Sequence, residues 1–540
     1  MRQTKHTVAL LRFNLRADWA KLLTWLLAIL VLVLAVGFKF DTIYGSETAL
    51  QTITVTLKSA SMVVLLGAFD LPVAPTVAQV FGSEMLLFTS FVIIAMNLTI
   101  GITKTRGDED LGLTELIRSR DVGPQSPLLS TATELILLNS VLTLLMASGL
   151  SIAKIPGASS AGNWIFSLGL GLTGLAFGMM GLLVAQLTSN HTSATILAYT
   201  LFLVSYLIRM VTDTTDPDLT WWSPLGWLEK TQPAIQNNWW ALLPMVVMAG
   251  LCYLVATELL AHRDLGRGLL ATRPGRRTAS RFLNSPFTLI WRLNRTLIAC
   301  WLVGSVILGA TYGSIFNSIG DVLKSNPTVQ KVFGVTAVHS ANHAIIVNYT
   351  AIILLIIAAL ACLPAIQLVL HLKRDEQSGT LELIYAHQTS RLTGYYSTIL
   401  SGMIVGLITY WAGVCGLILT GNQSLSAVKE QVTQSEFGQA LLVGVPIVLG
   451  FTALASLLVG GLPKLVSLSW VILGYGFVTI YLGALLKLPD WAKQLTPFGW
   501  QPKVPISNLN QSAFWLAIAG AIGLVIFGEL FYQRRDLQLN

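Results

Sequence analysis

Long apolar runs alternate with short polar connections throughout the chain, and this pattern restricts its fold more than any other feature. A run of about 20 apolar residues is long enough to cross a bilayer as a helix, and there are about twelve such runs in the 540 residues. Only 11% of the residues are charged, against roughly a quarter in soluble domains. Because a backbone in lipid must satisfy its own hydrogen bonds, we predict an all-α integral membrane protein.

The apolar runs form two groups of six. In the first half they cover roughly residues 21–39, 81–102, 129–151, 163–187, 193–212 and 239–259. In the second half they cover roughly residues 295–314, 346–370, 394–419, 437–460, 466–487 and 512–532. The basic N-terminal segment leads into a run without a convincing cleavage site, so we expect the first span to remain as an anchor.

The distribution of basic residues predicts the orientation. With both termini in the cytoplasm, most of the 34 basic residues fall inside, including every arginine except Arg209. Lysine and arginine are enriched in cytoplasmic loops. We therefore predict a multi-pass protein of the cell membrane with both termini in the cytoplasm.

A charged segment follows the second run of each half, and its two copies match at one constant offset. The matching residues are Asp108, Glu109, Gly112, Glu115, Leu116 and Ile117 in the first copy, and Asp375, Glu376, Gly379, Glu382, Leu383 and Ile384 in the second. Good helix formers with an apolar edge suit a short amphipathic helix lying flat under a membrane. Its acids would then face water and a soluble partner. The alternative is a solvated loop whose acids only keep it off the membrane.

Other landmarks recur in the same order, about half a chain apart. They are Arg16 with Trp25 and Arg292 with Trp301; Leu57-Lys58-Ser59 and Leu323-Lys324-Ser325; Pro224-Leu225-Gly226-Trp227 and Pro497-Phe498-Gly499-Trp500; and Arg263-Asp264-Leu265 and Arg535-Asp536-Leu537. Such recurrence indicates an internal repeat. Because each half has an even number of spans, we predict two parallel six-helix repeats, with domains at residues 1–270 and 271–540.

Each half also begins with an amphipathic run, from Val8 to Trp19 and from Phe282 to Trp291. These runs predict interfacial connecting helices in the headgroup layer. The alternative is a cytoplasmic extension of the following span.

Motifs of enzyme chemistry are missing from the sequence. It contains no phosphate-binding G-x-x-x-x-G-K-[ST] loop, no G-x-S-x-G and no H-E-x-x-H. The four cysteines lie inside apolar runs, and we expect neither a metal site nor catalysis in this chain. The spans carry almost no ionisable groups near their centres, which argues against proton or sodium coupling. The net charge of +8 is spread over short loops rather than one face, so nucleic acid is not an expected partner.

Residues Glu376 to Leu383 read acidic-x-x-Gly-Thr-Leu-Glu-Leu after a second span, and this resembles the signature of ABC type-2 exporter permeases. Two fused six-span domains are similar to the polyketide-antibiotic exporter branch of that family. The first copy departs from the signature, because Leu113-Thr114 stands where the second copy has Thr380-Leu381.

The resemblance implies a function and partners. The charged segments, at about residues 107–119 and 374–387, would be coupling helices that contact separate ATPase subunits, two of them, through the residues matched above and Thr380. ATP and Mg would be bound by those partners, with no cofactor in this chain. The cargo would be hydrophobic or amphiphilic, in a lipid membrane of a bacterial cell. A cavity between spans one, two and five would be lined by Met85, Phe88, Thr89, Asn97, Asn348 and Tyr349.

Two other functions stay open at this point. A secondary transporter can also use twelve spans in parallel halves, although the missing intramembrane charges speak against it. A polytopic scaffold or sensor without transport has no sequence feature that excludes it.

Overall fold

The computed structural model describes residues 2–58, 60–270, 278, 280–281, 283–314, 316, 342–386, 390–425, 431–482, 491, 494–500 and 504–535. All regular secondary structure in these residues is helical. Eleven helical segments of the described residues are long and apolar enough to cross a membrane, and one of them, Gln434–Gly461, consists of two consecutive helices. This confirms the prediction of an all-helical, multi-pass membrane protein. The chain divides into two compact units, Met1–Gly275 and Arg276–Asn540.

Unit 1 is a bundle of long helices joined by short ones. Its helices are α1 Thr7–Tyr44, α2 Glu47–Leu57, α3 Ala60–Leu66, α4 Val77–Ile102, α5 Asp108–Asp110, α6 Leu113–Arg118, α7 Ser126–Ala153, α8 Ser160–Leu187, α9 His191–Thr215, α10 Pro224–Glu229 and α11 Leu243–His262. A π-helical turn, Thr103–Gly107, continues α4 toward α5. The start of α4 is fixed by a capping box between Thr76 and Gln79, which satisfies backbone N–H groups at the helix end.

Helices α4 and α8 pack closely in the centre of unit 1, and small residues make this possible. A Cβ atom at Gly174 of α8 would lie 2.4 Å from Cγ2 of Ile93 on α4. Asn97 of α4 and Asn139 of α7 exchange two side-chain hydrogen bonds of 3.2 and 2.6 Å, and both side chains are buried. Such polar pairs and glycines are typical of helix contacts in membranes, where no hydrophobic force drives the association.

Unit 2 has its own set of helices. They are α12 Pro286–Leu293, α13 Arg295–Ser314, α14 Asn342–Gln377, α15 Thr380–Tyr385, α16 Arg391–Ser424, α17 Gln434–Val443, α18 Val445–Gly461, α19 Leu468–Leu482 and α20 Gln511–Arg534. Helix α13 packs on α16 through glycines one turn apart. A Cβ at Gly309 would lie 2.1 Å from the carbonyl oxygen of Gly413, and one at Gly313 would lie 2.3 Å from that of Leu417.

The amphipathic runs differ between the units. In unit 1 the run is the first part of α1, a single helix of 38 residues, so the separate interfacial helix expected there is wrong and the extension of the span is correct. In unit 2 the run forms a separate helix, α12. Ser285 caps this helix through a capping box, Pro286 occupies its first turn and Asn294 ends it. Residues 8–19 contain no comparable stop signal, so the helix continues.

Some predicted features lie partly outside the described residues. The predicted span 466–487 is described as far as Leu482, as the 15-residue helix α19. The Leu323-Lys324-Ser325 landmark, Asp536, Leu537 and the side chain of Ile384 are outside the described part.

Candidate functional site

The two charged segments have the same backbone turn. Gly112 and Gly379 both have φ = +72°, a conformation that glycine adopts with little strain. Each glycine N–H donates to the carbonyl oxygen of a glutamate three residues earlier, Gly112 to Glu109 at 3.0 Å and Gly379 to Glu376 at 3.1 Å. In both segments this left-handed turn ends a long helix and a short helix, α6 or α15, begins directly after it.

In unit 1 the carboxylate of Glu109 points into the protein. Arg263 donates to both of its oxygens, at 2.8 and 2.6 Å, and both side chains are 5% exposed. The Gly266 N–H donates at 2.7 Å, and Nη1 of Arg106 lies 3.1 Å away. A two-fold arginine–carboxylate contact of this kind is among the strongest hydrogen-bonded pairs in proteins.

Unit 2 contains the same pair at matching positions. Arg535 donates to the two carboxylate oxygens of Glu376 at 2.7 and 2.5 Å, and the Glu376 side chain is 3% exposed. Each pair joins the charged segment to the arginine that directly follows the sixth predicted span of its half. The expectation that all acids of the segments face water is therefore wrong for Glu109 and Glu376.

The outward surface of each segment consists of other predicted residues. In unit 1 Gly112, Glu115 and Leu116 are exposed, while Asp108 and Ile117 are half-buried. In unit 2 Thr380, Glu382 and Leu383 are exposed, while Asp375 and Gly379 are half-buried. Leu116 and Leu383 are 65% and 69% exposed. The outward surfaces, Glu115/Leu116 and Glu382/Leu383, thus present one acid and one leucine each, which a soluble partner can contact.

A cleft of about 290 Å³ lies in unit 2 beside its charged segment. Its walls come from α13, α14 and α19, with the lining residues Trp301, Leu363, Gln367, Leu370, His371, Arg374 and Trp470. These residues are not among those predicted from the sequence. The available signal is the spacing of Gln367, His371 and Arg374, which puts three polar side chains on one face of α14.

The residues proposed from the resemblance as cavity lining are mostly packed inside their units. Met85, Thr89, Asn97 and Tyr349 are buried, Asn348 is half-buried and Phe88 is exposed. Asn97 is bonded to Asn139 as described above, and the Tyr349 hydroxyl donates to the carbonyl oxygen of Tyr312 at 3.4 Å. None of the six lines the unit 2 cleft, and their role in a cargo cavity stays a prediction.

A buried charge cluster in unit 1 was also missed by the sequence analysis. Nη1 of Arg209 lies 3.4 Å from Oδ2 of Asp213 and 3.7 Å from Oε2 of Glu229, and all three side chains are fully buried. The Ala68 N–H donates to Glu229 at 3.0 Å, and the Thr220 hydroxyl donates to Asp213 at 2.6 Å. Burial raises the pKa of Glu229 well above its usual range, and the nearby Asp213 raises it further. One guanidinium thus lies beside two carboxyl groups.

Comparisons with known proteins point to efflux. Residues 283–533 match the family described as multidrug efflux system permease Rv1217c, C-terminal domain. The chain is 29% identical over 560 aligned positions to the multidrug efflux system permease protein Rv1217c of Mycobacterium tuberculosis (strain ATCC 25618 / H37Rv). The alignment covers 98% of this chain and 95% of that protein. The chain is therefore a multi-pass membrane protein that is similar, along nearly its whole length, to a multidrug efflux permease.

Proposed function

We propose that this chain is the membrane-spanning permease of an ABC type-2 exporter, which moves hydrophobic or amphiphilic compounds out of the cell. The similarity to a multidrug efflux permease along nearly the whole chain carries this proposal. The signature-like segment from Glu376 to Leu383 supports the ABC assignment. ATP and Mg are bound by separate ATPase subunits, and this chain is a transport subunit rather than an enzyme.

The proposed architecture is two parallel six-span repeats with both termini and both charged segments on the cytoplasmic side. The equal turns at Gly112 and Gly379 support it. So do the arginine pairs of Glu109 and Glu376, which join matching landmarks in the two units. The outward surfaces of the segments then contact two ATPase subunits, one under each unit.

The glutamate–arginine pairs have a mechanical consequence in this scheme. Each segment is covalently continuous with the second span and is held to the end of the sixth span by a buried ion pair. A displacement of the segment by an ATPase therefore moves the ends of both spans together. Glu109 and Glu376 transmit this motion, whereas Glu115 and Glu382 receive it.

The first experiment is affinity purification of the chain from its native host. We expect a P-loop protein without membrane spans to co-purify with the wild-type chain. Replacing the outward acids, Glu115→Lys with Glu382→Lys, is expected to lower that recovery about tenfold or more, because interfacial charge pairs become repulsive. The matched control is Lys464→Gln, an exposed residue outside the segments. Equal recovery of the P-loop protein with the double variant would argue against the coupling role.

The second experiment separates the energy sources. In cells loaded with a fluorescent amphiphilic drug, we expect efflux to continue when the proton gradient is collapsed at constant ATP, and to stop when ATP is depleted. Efflux that follows the proton gradient instead would identify a secondary transporter. The buried cluster of Arg209, Asp213 and Glu229 would then be the first candidate for a proton-coupling site, because ionisable groups in membrane segments are retained for function.

A further inference from the structure

The unit 2 cleft has a cationic wall without an acidic partner. Gln367, His371 and Arg374 line it from one face of α14, and Trp301 and Trp470 line it from α13 and α19. Within the described part of the chain, no carboxylate lies at ion-pair distance from His371 or Arg374. Side-chain hydrogen bonds to Gln367, His371 and Arg374 are also absent among the described residues. Arg374 is exposed and Gln367 and His371 are half-buried, so these donors are accessible to a ligand that accepts hydrogen bonds.

The matching position of unit 1 is neutralised. At the offset that relates the two charged segments, His371 corresponds to Lys104. Lys104 forms an ion pair with Asp18, and both side chains are largely buried. The charge of Lys104 in unit 1 is therefore balanced by the carboxylate of Asp18.

Unit 2 lacks the corresponding acid. Asp18 lies seven residues before Trp25, and the residue seven positions before the matching Trp301 is Asn294. An amide replaces the carboxylate and a histidine replaces the lysine, so the charge on this wall of the cleft is that of Arg374.

The packing places Asn294 at the level of the cationic wall. Tyr312 contacts Tyr349 and Ile298 packs in one cluster with Leu368, so α13 and α14 run antiparallel. Asn294 is one turn before Ile298, and its carbonyl oxygen accepts from the Ile298 N–H at 2.9 Å. Residues 371–374 are one to two turns after Leu368. Both positions therefore lie toward the same end of the antiparallel pair.

We propose that this cleft binds an amphiphilic anion, whose acid group is held by Arg374 and His371 and whose apolar body lies between Trp301 and Trp470. A guanidinium presents several donors in a plane and matches a carboxylate, sulfonate or phosphate. Indole rings offer large apolar contact area near a polar boundary. A volume of about 290 Å³ is at the lower end of the range for small-molecule sites. The inference goes beyond the proposed efflux function, which leaves the charge of the cargo open, and the binding step does not require transport.

The experiment uses the full-length chain in nanodiscs of phosphatidylcholine and follows tryptophan fluorescence. Dibromostearate is an anionic amphiphile whose bromine atoms quench indoles on contact, and its methyl ester is the neutral control. We expect saturable quenching by the acid above the linear background that the ester gives. Trp470→Phe should reduce the amplitude of the saturable part. A phosphatidylglycerol with a dibrominated chain tests whether an anionic lipid headgroup is an alternative source of the same chemistry.

Three variants decide the outcome. His371→Gln with Arg374→Gln should weaken the saturable component about tenfold or more, since it removes charge-assisted contacts to the acid. Asn294→Asp places a carboxylate at the position that Asp18 occupies in unit 1. This variant keeps His371 and Arg374, and it should weaken the saturable component as much as the double variant does. Lys464→Gln, an exposed change of the same charge, should leave it unchanged.

Each result bears on the proposal. Loss of the saturable component in both cleft variants, for the free acid or for the lipid, supports an anion site and names its source. Equal quenching by acid and ester, or saturable binding unchanged by Asn294→Asp and by the double variant, would overturn it. Because Asn294→Asp alters one half-buried side chain at a helix end, an intact elution profile on size exclusion separates loss of binding from loss of fold. Failure of the efflux proposal would leave these binding results unaffected.

Discussion

Replacing Arg535 by glutamine removes the guanidinium that binds both carboxylate oxygens of Glu376, at 2.7 and 2.5 Å. The Glu376 side chain is only 3% exposed, so water cannot simply take the place of the lost donors. We expect the variant to fold less stably, because a buried carboxylate loses a guanidinium that binds both of its oxygens.

The magnitude follows from the burial of the two partners. Removing one member of a buried ion pair costs about 3–5 kcal/mol. Since the Arg535 side chain is 16% exposed, we expect Arg535→Gln to cost about 3 kcal/mol, at the lower end of that range. Glu376→Gln should cost less, about 1–2 kcal/mol, because an arginine near the surface can turn toward water. The double variant should show a coupling energy of about 2 kcal/mol.

The assay is reversible unfolding of the purified chain in detergent for the wild type, both single variants and the double variant. Glu382→Gln is the control, because this acid is exposed and should change stability by less than about 0.5 kcal/mol. In unit 1, Arg263→Gln leaves Arg106 Nη1 at 3.1 Å from Glu109, so we expect a loss of about 1–2 kcal/mol there. A coupling energy below about 0.5 kcal/mol at Glu376 and Arg535 would refute the reasoning, because exposed ion pairs behave in that way.

The remaining predictions use the same unfolding measurement. Burial and the neighbouring acid raise the folded-state pKa of Glu229. Its contribution to the free energy of unfolding should therefore be greatest at a pH below the ordinary pKa of a glutamate and should be lost as the pH rises through the folded-state pKa. Glu229→Gln should abolish this loss, and a variant with the same pH profile as the wild type would contradict the prediction. Gly112→Ala and Gly379→Ala should each cost about 1–2 kcal/mol, since an added Cβ meets nothing within 4 Å but φ is +72°; a neutral result at both would contradict the left-handed turns. Asn97→Leu should cost about 1–3 kcal/mol by leaving the buried Oδ1 of Asn139 without its donor, and Asn139→Leu in the same chain should recover part of it; an additive loss would contradict the pairing.

The sequence was informative wherever one local property decides the structure. Span positions follow from apolar length, and eleven described helical segments meet that criterion. The spacing that is repeated in the two charged segments also predicts a short helix in each segment, and the structure has α6 in the first and α15 in the second. Gly112 and Gly379 recur because the same backbone turn requires a left-handed residue at both positions.

Contacts between residues that are far apart in the sequence cannot be predicted from apolar runs or from short repeated motifs. Glu109 and Arg263 were each identified as landmarks, yet no local rule indicates that residues so far apart in sequence form a pair. The sequence pattern therefore predicts that these acids face water, because a charged residue on a short amphipathic helix is exposed to solvent unless a residue distant in sequence forms an ion pair with it. Arg209 is a similar case. It stood out as the one arginine on the other side of the predicted membrane, and its reason became visible only with Asp213 and Glu229 beside it.

The two units share the buried glutamate–arginine pair but differ in the residues at the end of the long helix that precedes it. This difference argues that the matching helices of the two units have separate roles. Both contain the buried glutamate–arginine pair, which joins the charged segment to the residue after the last helix of the unit. Only unit 1 retains an acid, Asp18, against the cation at the end of its long helix. In unit 2 the corresponding Asn294 leaves His371 and Arg374 facing a cleft. Arg374 is exposed and His371 is half-buried, so this wall of the cleft is accessible to an anion from outside the protein. Asn294→Asp tests this argument directly, because it returns a carboxylate to the position of Asp18 and should weaken anion binding.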